Sequence, residues 1–230
     1  MLFSSDVDIA ERIEAVGRSV TFTNLRATYD LESKRILDIG CGFGEYLKHF
    51  GRGSVGITTT AGEVDYGYRA GMDIRMGNAE ALDELGITVN FDAMWANNLF
   101  EHLLAPHSFL MFLRPHISSD GILILGVPMV PRIVSLLRLR WFRGALATNH
   151  INFFTKETFR LTVERAGWDI VDLRPFIFKW SILDRALSGF SPHLYLIAKP
   201  NRNFRYPEKK LKEWIDDPRY KRLLALGGHP

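Results

Sequence analysis

The sequence of 230 residues holds one cysteine, Cys41. An internal disulfide is thereby excluded, and a cysteine-built zinc or iron–sulfur site is argued against. A reducing, cytoplasmic setting fits such usage. The opening stretch MLFSSDVDIAERIEAVGRS lacks a basic start followed by an apolar run, so no signal peptide is expected. No apolar stretch reaches the length of a membrane span. There is no internal repeat and no low-complexity tract. No set of His, Asp and Glu has the spacing of a metal-binding motif, so no metal is expected. Charge of one sign is scarce as well. The net charge is only +3, and a hydrophobic share of 47% with 24% charged residues is that of an ordinary soluble globular chain.

That small net charge is unevenly spread. Residues 199–230 carry nine Lys/Arg against four Asp/Glu, and residues 129–150 carry four arginines and no acid. A basic patch can attract nucleic acid, anionic lipid or an acidic substrate. The C-terminal stretch has no recognisable recognition module, so it reads as a solvated appendage with a short helix over 207–215, and no nucleic-acid partner is expected.

The pattern along the chain is that of alternating strands and helices. A helix is predicted from about Ser5 to Val16, followed by a polar connector. Short apolar runs predict strands at Arg35–Ile39, Ser54–Thr58, Asp73–Met76, Phe91–Ala96 and Gly121–Pro128. Helices are predicted after the glycine-rich CGFGEYLKHF, after Ala61, after Pro106 and over Lys156–Arg165, the last with Thr155 as N-cap and Gly167 as stop. Such alternation means a parallel sheet with crossover helices. Trp168–Phe178 and His193–Pro200 read as two further strands. The gap between them is too short for a long crossover, so an antiparallel pair at a sheet edge is predicted.

The most informative segment is ILDIGCGFG, Ile36–Gly44. A strand ends in Asp38, and Gly40, Gly42 and Gly44 follow. Glycine allows a sharp turn and a close approach of ligand to backbone. The dinucleotide fingerprint places its third glycine three residues after the second; here the interval is two, which argues against an NAD(P) enzyme. A bare turn needs fewer glycines. An acid at the strand end can accept hydrogen bonds from a ligand ammonium.

ILDIGCGFGEYL resembles motif I of the class I S-adenosylmethionine (SAM)-dependent methyltransferases. FDAMWANNLFEHLLAPHSFL (Phe91–Leu110) resembles that family's strand-four region, and NHINFFTKETFRLTVERAGW (Asn149–Trp168) its late "H…FFT…AGF" segment. The resemblance covers roughly Arg35–Pro200. It implies a doubly wound α/β fold, a mostly parallel seven-stranded sheet with an antiparallel last strand, and SAM as cofactor with S-adenosylhomocysteine as product. It divides the chain into a helical cap (1–34), a SAM-binding domain (35–200) with an inserted lid (129–150), and a basic tail (201–230).

The resemblance also implies site residues. Asp38, Gly40, Cys41, Gly42 and Gly44 would hold the methionine part of SAM, with Asn97 lining it. The family's ribose-binding acid is replaced by Thr58, so Thr58 and Glu63 are expected to share that role, unless Glu63 is merely an acid in a first helical turn. Asn78 and Ala79 would lie against the adenine edge. Both asparagines could equally be ordinary loop residues.

For chemistry, ligands of such sheets sit at the carboxyl ends of the strands. That nominates Glu101 and His102, with His150 entering from the far side, as a base for a hydroxyl acceptor. The same residues could instead only order the loop. The lid carries Ile133, Leu136, Leu137, Leu139, Trp141 and Phe142 beside Arg132, Arg138, Arg140 and Arg143, at a spacing that permits a basic amphipathic helix. It could cover an apolar acceptor with an anionic group, lie on an anionic membrane through 132–146, or simply pack on the domain. The expected activity is methyl transfer to a small-molecule acceptor, with oxygen preferred on resemblance alone and nitrogen or carbon left open. Lipid-linked and sugar acceptors also stay open. A non-catalytic SAM-binding scaffold is the alternative. The sequence does not fix the oligomeric state.

Overall fold

Runs such as ILDI and VGIT form strands because β-branched and leucine side chains pack well on a pleated surface buried on both faces. The computed structural model describes residues 5–87 and 89–226. Seven strands make one sheet: β1 Ile36–Ile39, β2 Val55–Thr58, β3 Ile74–Met76, β4 Phe91–Asn97, β5 Ile117–Pro128, β6 Trp168–Arg174 and β7 His193–Pro200. Their order is β3-β2-β1-β4-β5-β7-β6. The pairs from β3 to β5 are parallel, and β7 runs antiparallel to both β5 and β6. The predicted edge pair is therefore present, and the fold is the doubly wound class expected.

Side chains of one strand alternate between two cores, as the two-residue period requires. On one face Leu37, Met94 and Leu123 pack with Phe109 of α4 (Pro106–Leu113) and Phe159 of α5 (Lys156–Glu164). On the other, Ile36, Trp95 and Ile124 pack against Phe22 and Leu25. These last two belong to α2 (Val20–Tyr29), which follows α1 (Asp6–Arg18). Ser5 caps α1 with a reciprocal bond from its own N–H to Asp8, and Thr155 caps α5. Gly167 ends the latter turn at a φ of +86°. α3 (Ala61–Arg69) starts where the sequence predicts it.

Four expectations fail, each for a physical reason. The polar connector after α1 is helix α2: its sequence VTFTNLRATY has weak intrinsic propensity, but burial of Phe22 and Leu25 three residues apart supplies the stabilisation. The helix after the glycines is absent. Turns lead only into a single 3₁₀ turn at Leu47–His49, because Gly42 and Gly44 sit at φ +56° and +85° and leave few residues before the chain re-enters the sheet. The lid is two 3₁₀ segments, Val134–Arg138 and Arg140–Leu146, separated by an extended Leu139, and not a continuous amphipathic helix. Finally, the basic tail is no appendage. Helices α7 (Glu208–Trp214) and α8 (Pro218–Ala225) are present, and Tyr206 and Leu223 are buried against Met111 and Phe112 of α4. The β6–β7 connection also carries a helix that the sequence reading left out, α6 (Ser181–Leu187). Among the described residues no helix is long and apolar enough to cross a membrane.

Candidate active site

Because β1, β2, β4, β5 and β6 all end at the same edge, and β7 begins there, the loops after them converge. The turn at 40–44 is fixed by the backbone. Gly40, Gly42 and Gly44 adopt φ +74°, +56° and +85°, a region costly for any residue with a Cβ. The N–H groups of Gly40 and Cys41 both donate to the Ile57 carbonyl, at 2.9 and 3.0 Å, strapping the turn to the end of β2. Cys41 is buried beneath it, and burial pushes its thiol far up, so the sulfur is inert packing and not a nucleophile.

Asp38 is buried at the end of β1, and its Oδ2 has no hydrogen-bond partner. Burial, with the nearby Glu45 carboxylate, holds the Asp38 carboxyl well above the usual range. Glu45 pairs with Arg12 of α1, and the Arg12 guanidinium lies over the Phe43 ring at 5.4 Å. α1 also pairs with α3 through Asp6–Arg69, at 2.8 Å. The N-terminal helix thus spans the glycine turn and α3.

Further along this edge Thr58 is buried and its hydroxyl donates to Glu63. The Asn78 side chain accepts from the Glu80 N–H at 2.9 Å, capping the turn that holds buried Ala79. Glu80 in turn accepts from the N–H groups of Leu104 and Ala105, at 3.1 and 2.6 Å, tying the loop after β3 to the loop after β4. Asn97 donates from Nδ2 to the Tyr46 hydroxyl at 3.0 Å, while its Oδ1 is buried without a partner. A Cβ on Gly126 would clash with that Oδ1 and with the Tyr195 ring, so any larger residue here would displace those side chains.

The predicted base candidates are brought together. Glu101 is 1% exposed, and neither carboxylate oxygen has a hydrogen-bond partner. Its Oε1 lies 4.0 Å from His102 Nε2 and 3.9 Å from His150 Nε2. The two imidazoles meet edge to face at 4.7 Å. His102 Nδ1 lies 3.0 Å from the Asn149 carbonyl, so Nδ1 carries the proton and donates it. Burial raises the Glu101 carboxyl, and burial together with His102 lowers His150. The Glu101 carbonyl accepts from the N–H groups of Ile151 and Asn152, at 3.1 and 2.9 Å, anchoring the end of the lid to the end of β4.

His193 is a further polar side chain on this edge that the sequence does not single out. It starts β7 on this same edge, and its Nε2 lies 3.0 Å from Asn98 Oδ1. Asn98 sits at φ +52°, a conformation asparagine tolerates better than most residues. Burial pushes the His193 imidazole down to about 4, so it is neutral at pH 7. Only the strand order could have revealed it, since β7 inserts between β5 and β6.

The lid and the β6–β7 connection leave apolar side chains facing solvent on this edge: Trp141 is 81%, Trp180 74% and Ile182 80% exposed. Arg138, Arg140 and Arg143 are exposed beside Trp141. The two segments meet at their roots, where Lys156 donates to Ser188 at 2.5 Å. A cleft of about 490 Å³ lies elsewhere, between α4 and α8 and lined by His107, Trp214 and Tyr220; it does not touch the glycine turn.

Residues 10–173 match the model of a family described as a methyltransferase domain. No curated protein sequence matches the chain. Solved structures share its fold at low identity. An S-adenosylmethionine-dependent methyltransferase from Clostridium acetobutylicum aligns with a TM-score of 0.61 at 9% identity, covering 85% of this chain and 97% of its own. The CcbJ methyltransferase from Streptomyces caelestis gives 0.60 at 12% identity, over 77% and 88%. A SAM-dependent methyltransferase from Archaeoglobus fulgidus gives 0.58 at 16% identity, over 85% and 100%.

Proposed function

The chain belongs to this methyltransferase-domain family and is a class I SAM-dependent methyltransferase; on that premise we propose that it methylates a small, apolar, hydroxyl-bearing acceptor held beneath the 129–150 lid. The residues present suit the cofactor. The buried Asp38 carboxyl, whose Oδ2 has no partner, is the observation that carries this fit, because burial disfavours its charge until a cation arrives beside it, and the SAM ammonium is one. The 40–44 turn would hold the methionine part from the backbone side, with Asn97 lining it. The hydrogen-bonded Thr58 and Glu63 would share the ribose hydroxyls, which restores the acid that Thr58 alone lacks. Ala79 would back the adenine, and Asn78 would lie at its edge.

When bound, SAM supplies an electrophilic methyl on a sulfonium. The chain's remaining task is to place the acceptor in line and relieve its proton. His102 suits the second task. Its Nδ1 proton is committed to Asn149, so Nε2 keeps its lone pair, and its side chain is 31% exposed and reachable. Glu101 beneath would stabilise the imidazolium that results. Trp141, Trp180 and Ile182 support an apolar acceptor, and the lid arginines support an anionic group on it. The test is calorimetric titration with SAM and with S-adenosylhomocysteine, alongside Gly42→Val. Binding that the substitution abolishes is the expected result, followed by S-adenosylhomocysteine formation with hydroxylated apolar compounds. Failure of the native chain to bind either ligand overturns the reading.

A further inference from the structure

We propose that Glu101, His102 and His150 form a binding site for one divalent first-row transition cation, with zinc or cobalt as the fitting probes. The sequence hides the trio, since its three members have no motif spacing. In the fold, one ligand atom from each lies within 4.8 Å of the other two. The two separations from Glu101 Oε1, 3.9 and 4.0 Å, are too long for hydrogen bonds. Donors each roughly 2.0–2.2 Å from a tetrahedral cation stand about 3.3–3.6 Å apart, so the trio would close by about half an ångström around one ion.

Three further observations point to a ligand here. The carboxyl is almost wholly buried, and neither of its oxygens has a hydrogen-bond partner. His102 donates its Nδ1 proton to the Asn149 carbonyl, the outer contact that aims the Nε2 lone pair of a metal-bound imidazole and fixes its tautomer. That lone pair faces Glu101 Oε1, and two acceptors opposed across 4 Å have nothing to share unless a proton or a cation lies between them. Two imidazole nitrogens and one carboxylate oxygen are the donor set of zinc and other first-row divalent ions.

Three protein ligands leave at least one coordination position open. The His102 side chain is 31% exposed, against 10% for His150 and 1% for Glu101, so the open position lies on the His102 side, towards solvent. A hydroxyl oxygen bound there would have its pKa lowered, its proton passing to solvent water. With the ion bound His102 serves as a ligand, and the base role drawn above belongs to the metal-free chain. This role in acceptor activation rests on the methyl-transfer reading above; the ion site itself does not. The ion would also join the end of the lid to the end of β4, which the backbone bonds from Ile151 and Asn152 already draw together.

The test is titration of the tag-free full chain with zinc alone, without SAM, by competition against a chromophoric chelator. The visible spectrum of the cobalt-loaded protein is the second readout. The expected result is about one equivalent bound, with cobalt bands of low-coordinate intensity. Glu101→Gln and His150→Ala should each weaken binding by roughly 100-fold or more, since even loss of an outer contact costs about 10–100-fold. Melting temperatures in chelator show whether each variant is folded. If His150→Ala is not, His102→Ala carries the same comparison at the most exposed ligand. Absence of a single saturable site, or binding that these variants leave unchanged, overturns the proposal. SAM titration of the same metal-free samples is independent, so failure of the ion site is distinguishable from failure of the cofactor site.

Discussion

Most of the proposed cofactor side, between Asp38 and Glu63, is assembled from one short stretch of chain: three left-handed glycines, two N–H groups on the Ile57 carbonyl, and a threonine bonded to a glutamate five residues on. The acceptor side is assembled from afar. His102 meets Asn149 across 47 positions, His193 meets Asn98 across 95, and the lid is held by bonds to the Glu101 carbonyl. Backbone geometry holds the first region, and long-range side-chain pairs hold the second. The first should therefore tolerate damage to the second, whereas loss of a single distant partner should loosen the acceptor side.

Arg174→Ala should have the largest effect. Arg174 is buried, donates to Asp172 and Asp184 at 2.7 and 2.8 Å, and stacks on Phe176 at 3.8 Å. Its loss leaves Asp184 with the N–H groups of Ile177 and Phe178 but no cation, and Asp172 with Arg185, and should cost about 3–5 kcal/mol in denaturant unfolding. If the contrast holds, SAM affinity of the folded fraction is unchanged. A parallel loss of SAM affinity would break it.

Asp38→Asn should act in the opposite sense. It removes a charge-assisted bond worth about 1.5–3 kcal/mol, hence a drop in SAM affinity of roughly 10- to 150-fold by calorimetry, without lowering the melting temperature of the free protein. The sign with pH follows from the raised carboxyl. Between its ordinary and its raised value the folded chain binds more protons than the unfolded one, so stability falls as pH rises. SAM affinity rises over the same range, with proton release that buffers of different ionisation heat would reveal and that Asp38→Asn abolishes.

A smaller effect is expected at His193. Its folded value of about 4 lies below the ordinary one near 6.5, so its contribution is fully present above about 6.5 and is lost as pH falls towards 4. Thermal melts of His193→Gln should show a flatter decline over that window. The smallest change in stability is expected of Trp141→Ala. The side chain is 81% exposed, so stability should shift by less than about 0.5 kcal/mol, while the acceptor KM rises several-fold and SAM affinity stays constant.

The same contrast governs how much could be read without coordinates. The glycine turn, Asp38, and the strands at 36–39, 55–58 and 193–200 were legible, because alternation, turn chemistry and strand-end acids are local signals. The convergence of Glu101, His102 and His150 was legible only as three candidate side chains, and neither their geometry nor their capacity for a cation could be seen. His193 and Gly126 passed without notice, because their surroundings depend on which strand lies beside β5. The helix predicted after Gly44 failed at a point where two left-handed residues outweigh helical periodicity.

The sequence by itself determined the order of the strands and the glycine turn, since each depends on contacts within a few residues. Only the tertiary structure decided that β7 slips between β5 and β6, that the tail docks on α4, and that one buried carboxylate meets two partly exposed imidazoles. Those outcomes depend on burying apolar surface and pairing buried charge between segments far apart in the chain, and no local pattern records which distant partner will arrive.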